Sequence, residues 1–233
     1  MTKTGNIVIL TGAGISAESG LSTFRDENGL WAQHRIEEVA TPEAFARNPA
    51  RVHRFYNARR KQALHAMPNA AHHALTELQQ KWPYDLLLVT QNVDDLHEKS
   101  GSRAVHMHGA LMRALCAACA HRWDSPADLS VEDTCPACGA HTARPDIVWF
   151  GEMPYHMQDI LSALQNCDLF AAIGTSGQVY PAAGFVQEAL SAGAATVELN
   201  LKDSDMSYAF QDQITGPASE TVPQWVGRLL SQA

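Results

Sequence analysis

Four short strand-like runs, most of them apolar at almost every position and separated by helical patterns, constrain this chain more than any other feature. They cover residues 7–11, 85–90, 168–174 and 196–200. A strand that is apolar throughout, rather than at alternate positions, is buried on both faces, as in a parallel sheet covered by helices on each side. The alternation of strands and helices therefore predicts βαβ units and an α/β fold, a Rossmann-like parallel sheet with helices on both faces. One helix is expected from Asn69, a good N-cap, to about Lys81. Another is expected after Tyr180, running through Phe185 and Leu190 to a stop at Gly193.

Two stretches break the alternation. Residues 24–67 read as a loop followed by helices, and residues 113–145 carry four cysteines among few large aliphatic residues. The expected division is a Rossmann-like domain of residues 1–23, 68–112 and 146–233, with a smaller helical and zinc-binding domain of residues 24–67 and 113–145. Cys116 and Cys119 form one C-x-x-C pair, Cys135 and Cys138 the other, with fifteen residues between the pairs. This is zinc-ribbon spacing: each pair aims two thiolates at one tetrahedral ion, and four thiolates leave no open position, so the metal is expected to be structural. A redox C-x-x-C normally occurs once, near a helix N-terminus, and two disulfides require an oxidising compartment. Cys167, which precedes an apolar run, reads as a core thiol.

Among the 233 residues, 45% are hydrophobic and 18% charged, the balance of a globular protein rather than a disordered one. The formal charge of −8 argues against a broad nucleic-acid footprint, which needs a basic face. No apolar run approaches the roughly 20 residues that span a bilayer. Residues 1–6 are polar and lead into an apolar stretch too short for a signal peptide. The expectation is a cytoplasmic protein with neither nucleic-acid nor membrane partners.

The first strand is followed by Gly12-Ala13-Gly14-Ile15-Ser16-Ala17. A G-x-G-x-x-A turn between strand and helix lets the backbone approach a pyrophosphate, although the same turn also occurs without a ligand. The longer run GAGISAESGLSTFRDENGLW, which includes Phe24, Arg25 and Trp31, resembles the opening signature of the sirtuins, with Thr23 where the family usually has aspartate. The resemblance extends over nearly the entire chain.

Gln91-Asn92-Val93-Asp94 resembles the sirtuin Q-N-x-D motif, although Asn92 and Asp94 also suit plain helix caps. The resemblance implies that Asp94 holds the nicotinamide carboxamide of NAD, while Gln91 and Asn92 organise the ribose and the attacking water. His108-Gly109 matches the H-G motif, with Ala110 in place of the usual serine, and implies that His108 is the catalytic base. His106 is its rival, but the glycine follows His108. Gly174-Thr175-Ser176, Asn200-Leu201-Lys202 and Ala218 resemble the family's adenosine contacts, joining Gly12, Ala13, Gly14 and Ala17 as implied NAD contacts. Val148, Phe150, Gly151 and Glu152 match the V-x-F-G-E segment, whose backbone pairs with the peptide that carries the acyl-lysine.

Tyr56 and Arg59 are three residues apart and share a helix face. Sirtuins that remove malonyl, succinyl and glutaryl groups carry such a Tyr-x-x-Arg pair, with an alanine at the position of Ala40. A planar guanidinium suits a carboxylate, and a small Ala40 leaves room for a longer chain. Arg60 and Lys61 are expected to be exposed arms of the same helix. The implied activity is NAD-dependent removal of succinyl, malonyl and also acetyl groups from protein lysines, yielding nicotinamide and an O-acyl-ADP-ribose. Mono-ADP-ribosyl transfer and plain deacetylation are alternatives on the same scaffold. A dehydrogenase, supported only by the glycine turn, and a zinc-ribbon interaction module, supported only by the cysteines, are the more distant rivals.

Overall fold

The structure is a computed structural model, and it describes residues 5–21 and 34–232. Its centre is a six-stranded parallel sheet ordered β3-β2-β1-β7-β8-β9. The strands are β1 (Ile7–Thr11), β2 (Leu86–Thr90), β3 (Val105–His106), β7 (Leu169–Ile173), β8 (Ala195–Asn200) and β9 (Asp212–Thr215). The continuous apolarity of β1 is explained by its two neighbours and two faces. Ile7 and Ile9 enter one core with Leu75 and Leu78 of α5 (Ala70–Lys81) and Val222 and Trp225 of α9 (Ala218–Leu230). Val8 and Leu10 enter the other, with Ile160 and Leu164 of α7 (Met157–Gln165) and Phe185 and Val186 of α8 (Phe185–Ser191). Each fully buried branched side chain contributes roughly 1.5–3 kcal/mol, so both faces are strongly specified.

The helix predicted after Asn69 is α5, and its start follows from a capping box. The Asn69 side chain accepts from Ala71 N–H at 2.9 Å, and His72 Nδ1 accepts from Asn69 N–H at 3.3 Å. His72 is completely buried, with its ring centroid 5.1 Å from that of His97 on α6 (Leu96–Ser100). Burial pushes the pKa of both down, that of His72 to about 3 and that of His97 to about 4. Both fall below the ordinary value near 6.5, so the unfolded chain binds more protons in the window between. Stability is therefore complete above about pH 6.5 and declines toward pH 4, by at most roughly 2–3 kcal/mol per pH unit. Urea midpoints at pH 7 and pH 5 measure the effect. His72→Gln retains an N3 acceptor for the cap and should flatten part of the slope; an unchanged slope would assign it to other groups.

Between α1 (Ala13–Ala17) and α5 lie α2 (Ile36–Val39), α3 (Pro42–Arg47) and α4 (Pro49–His65). Thr41 and Asn48 each precede a proline at N1 and accept from Ala44 N–H and Arg51 N–H, both at 3.0 Å, which sets the starts of α3 and α4. A second, antiparallel sheet, ordered β5-β4-β6, is made of β4 (Gly109–Cys116), β5 (Arg122–Asp124) and β6 (Ala143–Ile147). Its strands run from residue 109 to residue 147, beyond both ends of the cysteine-rich stretch. Val39, Val52, Phe55 and Tyr56 of the helices pack with Leu111, Ile147 and Trp149, joining the helices to this sheet.

Arg60 departs from its expected place. It is 1% exposed, and its guanidinium donates to Leu111 O at 2.7 Å, Asn57 Oδ1 at 2.7 Å and Ala127 O at 3.2 Å. Three acceptors make a buried guanidinium tolerable, and they tie α4 to β4 and to the segment leading toward the second cysteine pair. Lys61, at 59% side-chain exposure, is the surface arm that was expected.

Candidate active site

The carboxyl ends of β1, β2, β7 and β8 surround a cavity of about 730 Å³. From β1 the chain moves outward through β2 and β3 on one side and, later, through β7, β8 and β9 on the other, so the cleft opens at the switch point where α/β sheets bind ligands. The glycine turn is built by close approach of two backbones. Gly14 N–H donates to Gly174 O at 2.9 Å, and a Cβ on Gly14 would lie 2.7 Å from Gly174 Cα. Only a chain without side chains there brings the ends of β1 and β7 together at the cavity wall. Asn200 Nδ2 extends the seam by donating to Thr175 O at 2.7 Å.

Asn92, 8% exposed, donates through Nδ2 to Gly12 O and to Ser16 Oγ, both at 3.1 Å. Asp94, also 8% exposed, accepts Leu96 N–H at 3.1 Å from the position before the N-cap, Asp95, and it lines the cavity as well. Burial raises its pKa, an effect partly opposed by the Leu96 amide. His108 Nδ1 lies 3.1 Å from Gln91 O. A carbonyl only accepts, so Nδ1 carries the proton and Nε2 keeps its lone pair. Burial pulls the His108 pKa below its ordinary value, with the Gln91 carbonyl opposing, so the ring is neutral near pH 7. The glycine that follows it is required by crowding: a Cβ on Gly109, where φ is +82°, would lie 2.1 Å from Asp146 O.

On the opposite wall, Tyr56 is 1% exposed and accepts from Trp149 Nε1 at 3.1 Å. The indole is donor-only, so the phenol hydrogen is available to a further acceptor. Burial pushes the Tyr56 pKa up to about 12, which keeps that proton in place. The Arg59 guanidinium carbon lies 6.0 Å from the ring centres of both Phe55 and Tyr56. Glu152 is a brace: its carboxylate accepts from Arg144 at 2.7 and 2.9 Å and from Trp149 N–H at 2.8 Å. Val148 N–H donates to His108 O at 2.9 Å, and Phe150 N–H to Ala40 O at 3.0 Å. The backbone left for an added strand is therefore narrower than the motif alone implies.

Gly12, Ala13, Gly14, Ala17, Gln91, Asn92, Val93, Asp94, His108, Gly174, Thr175, Ser176, Asn200, Leu201, Lys202 and Ala218 all border this one cavity, as do Ala40, Tyr56, Arg59, Val148, Phe150, Gly151 and Glu152. Phe24, Arg25 and Trp31 lie outside the described residues. Sequence reasoning missed Ser16, Gln62, Val179 and Pro217, which also line it. Pro217 follows Gly216 directly after β9, a turn signal that could have been read. Ser16 occupies an unspecified position of the G-x-G-x-x-A turn, and Val179 carries no such mark.

The four paired cysteines meet away from this cavity. Their sulfurs all lie within 4.8 Å of one another, with Cys116 to Cys138 and Cys119 to Cys135 each 3.7 Å apart. A tetrahedron with zinc–sulfur bonds of about 2.3 Å has edges of about 3.8 Å, so the thiols fit one closed structural zinc site. The separation is far too long for disulfides.

A parallel α/β sheet with a cleft at its switch point, braced by a four-thiol antiparallel sheet, defines a zinc-bearing protein of the dinucleotide-cleft class. The chain belongs to the Sir2 family, whose model matches residues 12–181. It is 56% identical to an NAD-dependent protein deacylase of Bdellovibrio bacteriovorus over 97% of both chains. It is 53% identical to the NAD-dependent protein deacylase SIR2rp3 of Leishmania major, over 97% of this chain and 96% of that one. Among solved structures, a complex of a Sir2 homolog with NAD superposes with a TM-score of 0.90 at 35% identity, covering 99% of this chain and 91% of the other.

Proposed function

We propose that this chain is an NAD-dependent protein-lysine deacylase that prefers acyl groups ending in a carboxylate, succinyl and malonyl, and also accepts acetyl. One observation carries the reading. The glycine turn, the 91–94 segment and His108 share a single cavity with Tyr56 and Arg59. When bound, NAD supplies the ribose carbon that receives the acyl oxygen as nicotinamide departs. Gly12, Ala13, Gly14, Ala17 and the strand-end residues 174–176 and 200–202, with Ala218, hold its adenosine and phosphate portions. Asp94 orients the carboxamide, and Gln91 and Asn92 orient the ribose. His108 takes a ribose hydroxyl proton at Nε2, its Nδ1–H remaining on Gln91. Residues 148–152 receive the peptide. Phe24, Arg25 and Trp31 complete the cofactor set.

Arg59 and Tyr56 receive the distal carboxylate, one as a charged fork, the other through its free phenol hydrogen, with Ala40 leaving space for the chain. The domain division at residues 24–67 and 113–145 and a cytoplasmic location belong to the same reading, the latter because a reducing compartment keeps four thiols available to zinc. None of the described helices is long and apolar enough to cross a membrane.

Matched acetyl- and succinyl-lysine peptides, incubated with protein and NAD and followed by mass spectrometry, test the proposal. NAD-dependent loss of succinyl with release of nicotinamide is expected. Arg59→Met should lower kcat/KM on the succinyl peptide by about 10- to 100-fold, the worth of hydrogen bonds to a charged group, and alter acetyl turnover far less. Equal losses on both peptides would remove the carboxylate role. No acyl loss from either peptide by folded, zinc-loaded protein would remove the deacylase reading and favour ADP-ribosyl transfer.

A further inference from the structure

Two histidines, two residues apart, hang on successive carbonyls of the 91–94 segment. His108 holds Gln91 O, and His106 Nδ1 lies 3.0 Å from Asn92 O. The other ring nitrogen of His106 lies 3.1 Å from Glu98 Oε1 on α6. A carbonyl oxygen and an ionised carboxylate can only accept, so the imidazolium, with a proton on each nitrogen, is the form that satisfies both contacts. His108, with one acceptor partner, is neutral. The same Asn92 that His106 grips through its backbone is gripped through its side chain by Gly12 and Ser16. The segment is thus fixed from both ends of the cleft.

We propose that His106, kept cationic by Glu98, is a positioning residue that fixes the Gln91-to-Asp94 segment for NAD, and that its deprotonation loosens this segment. This rests on the reading of that segment as part of the cofactor site. A neutral His106 ring has one N–H for two acceptors: kept on Nε2 it turns a lone pair on the Asn92 carbonyl and releases the segment, and kept on Nδ1 it turns a lone pair on Glu98 and breaks the link between α6 and β3. The charged and titratable groups facing the ring are Glu98 and His97 on α6 and Asp94 in the segment itself. Thr90, its register partner on β2, and Val89 beside it carry no charge. Burial pulls His106 down, but the Glu98 hydrogen bond and charge, aided by the Asn92 carbonyl, raise it above its ordinary value. A raised histidine keeps its contribution at low pH and loses it as pH rises through its own titration. Glu98 is 43% exposed, so salt should weaken the pair.

The test combines an NMR titration of the histidine rings, with His106 assigned by its absence in His106→Gln, and calorimetric binding of NAD across the same pH range. In the wild-type protein His106 should titrate above pH 6.5, with NAD affinity falling roughly two- to tenfold through that titration, the worth of one net hydrogen bond. Glu98→Gln is the discriminating variant. Its amide can donate to a neutral His106 nitrogen while the other nitrogen still donates to Asn92, so the grip survives without charge. His106 should then titrate at least about one pH unit lower, and NAD affinity should become flat over the former transition. Wild-type His106 titrating below pH 6.5, or an unchanged pH dependence in Glu98→Gln, would overturn the role. In the wild-type protein, NAD affinity unchanged through the His106 titration refutes this role alone. Absence of NAD binding at every pH refutes the cofactor reading beneath it.

Discussion

Replacing His108 with alanine is expected to reduce deacylation by about 10²- to 10⁴-fold, the contribution of a positioned general base. NAD binding and the melting transition should change little. The expectation comes from tautomer and environment together. Gln91 O fixes the proton on Nδ1, and burial holds the pKa of the ring below its ordinary value, so Nε2 is an open lone pair across the neutral range. His106 cannot substitute, because its two nitrogens are turned to Asn92 O and Glu98 Oε1 and it does not line the cavity. The same logic sets the pH profile. A base with a lowered pKa is already deprotonated at pH 6.5, so the acid limb of kcat/KM should lie below that value. Single-turnover measurements with saturating NAD, alongside calorimetry, separate the chemical step from binding. Activity within threefold of wild type in His108→Ala would remove His108 from the mechanism, and lost NAD binding would make it a cofactor ligand instead.

The strands and the cysteine spacing were legible because each rests on local chemistry. β1, β2 and β7 announce burial on both faces through nearly unbroken apolarity, β8 less so because Thr196 and Glu198 interrupt it, and two C-x-x-C pairs admit few arrangements besides a closed metal site. The arginines of α4 were not separable in the same way. Arg59 and Arg60 are adjacent on a helix, and which of them borders the cavity depends on carbonyls contributed by Leu111 and Ala127, remote in sequence. Helical periodicity places Tyr56 and Arg59 on one face but does not say that Arg60 is buried on another. Glu152 has the same difficulty: its motif predicts proximity to a peptide, whereas its carboxylate is taken by Arg144. Long polar side chains find partners set by tertiary structure, and a short window of sequence holds no record of them.

Removing the metal from the four cysteines should disable the enzyme although that site lies outside the cleft. The sheet that carries the cysteines has little apolar core of its own: Ala114, Leu129 and Ala143, with Trp123 packed partly against them. Burial on that scale cannot offset the ordering of some thirty residues, so the metal must supply much of the local stability. Structural zinc contributes on the order of 10 kcal/mol of apparent free energy in small isolated modules. What makes the loss functional is register. β4 begins at Gly109, next to His108, and ends at Cys116; β6 ends at Ile147, next to Val148, and Gly109 pairs with Ile147. His108 and the 148–152 segment therefore leave the same end of a sheet whose other end is held by thiolates. Three polar ties reinforce it: Asp146 accepts from Arg122 at 3.0 Å and from the Tyr155 hydroxyl at 2.9 Å, and Tyr155 N–H donates to Met107 O at 2.9 Å. Cys135→Ser, or chelation of the wild-type protein, should abolish amide protection across residues 113–143 in hydrogen exchange. Protection in β1, β2 and β7 should persist, because their core is elsewhere, while deacylation falls by at least about 100-fold through displacement of His108. A Cys135→Ser protein that has lost its zinc yet keeps both protection and turnover would show the small sheet to be self-sufficient. Loss of protection throughout the parallel sheet would instead make the two sheets one cooperative unit.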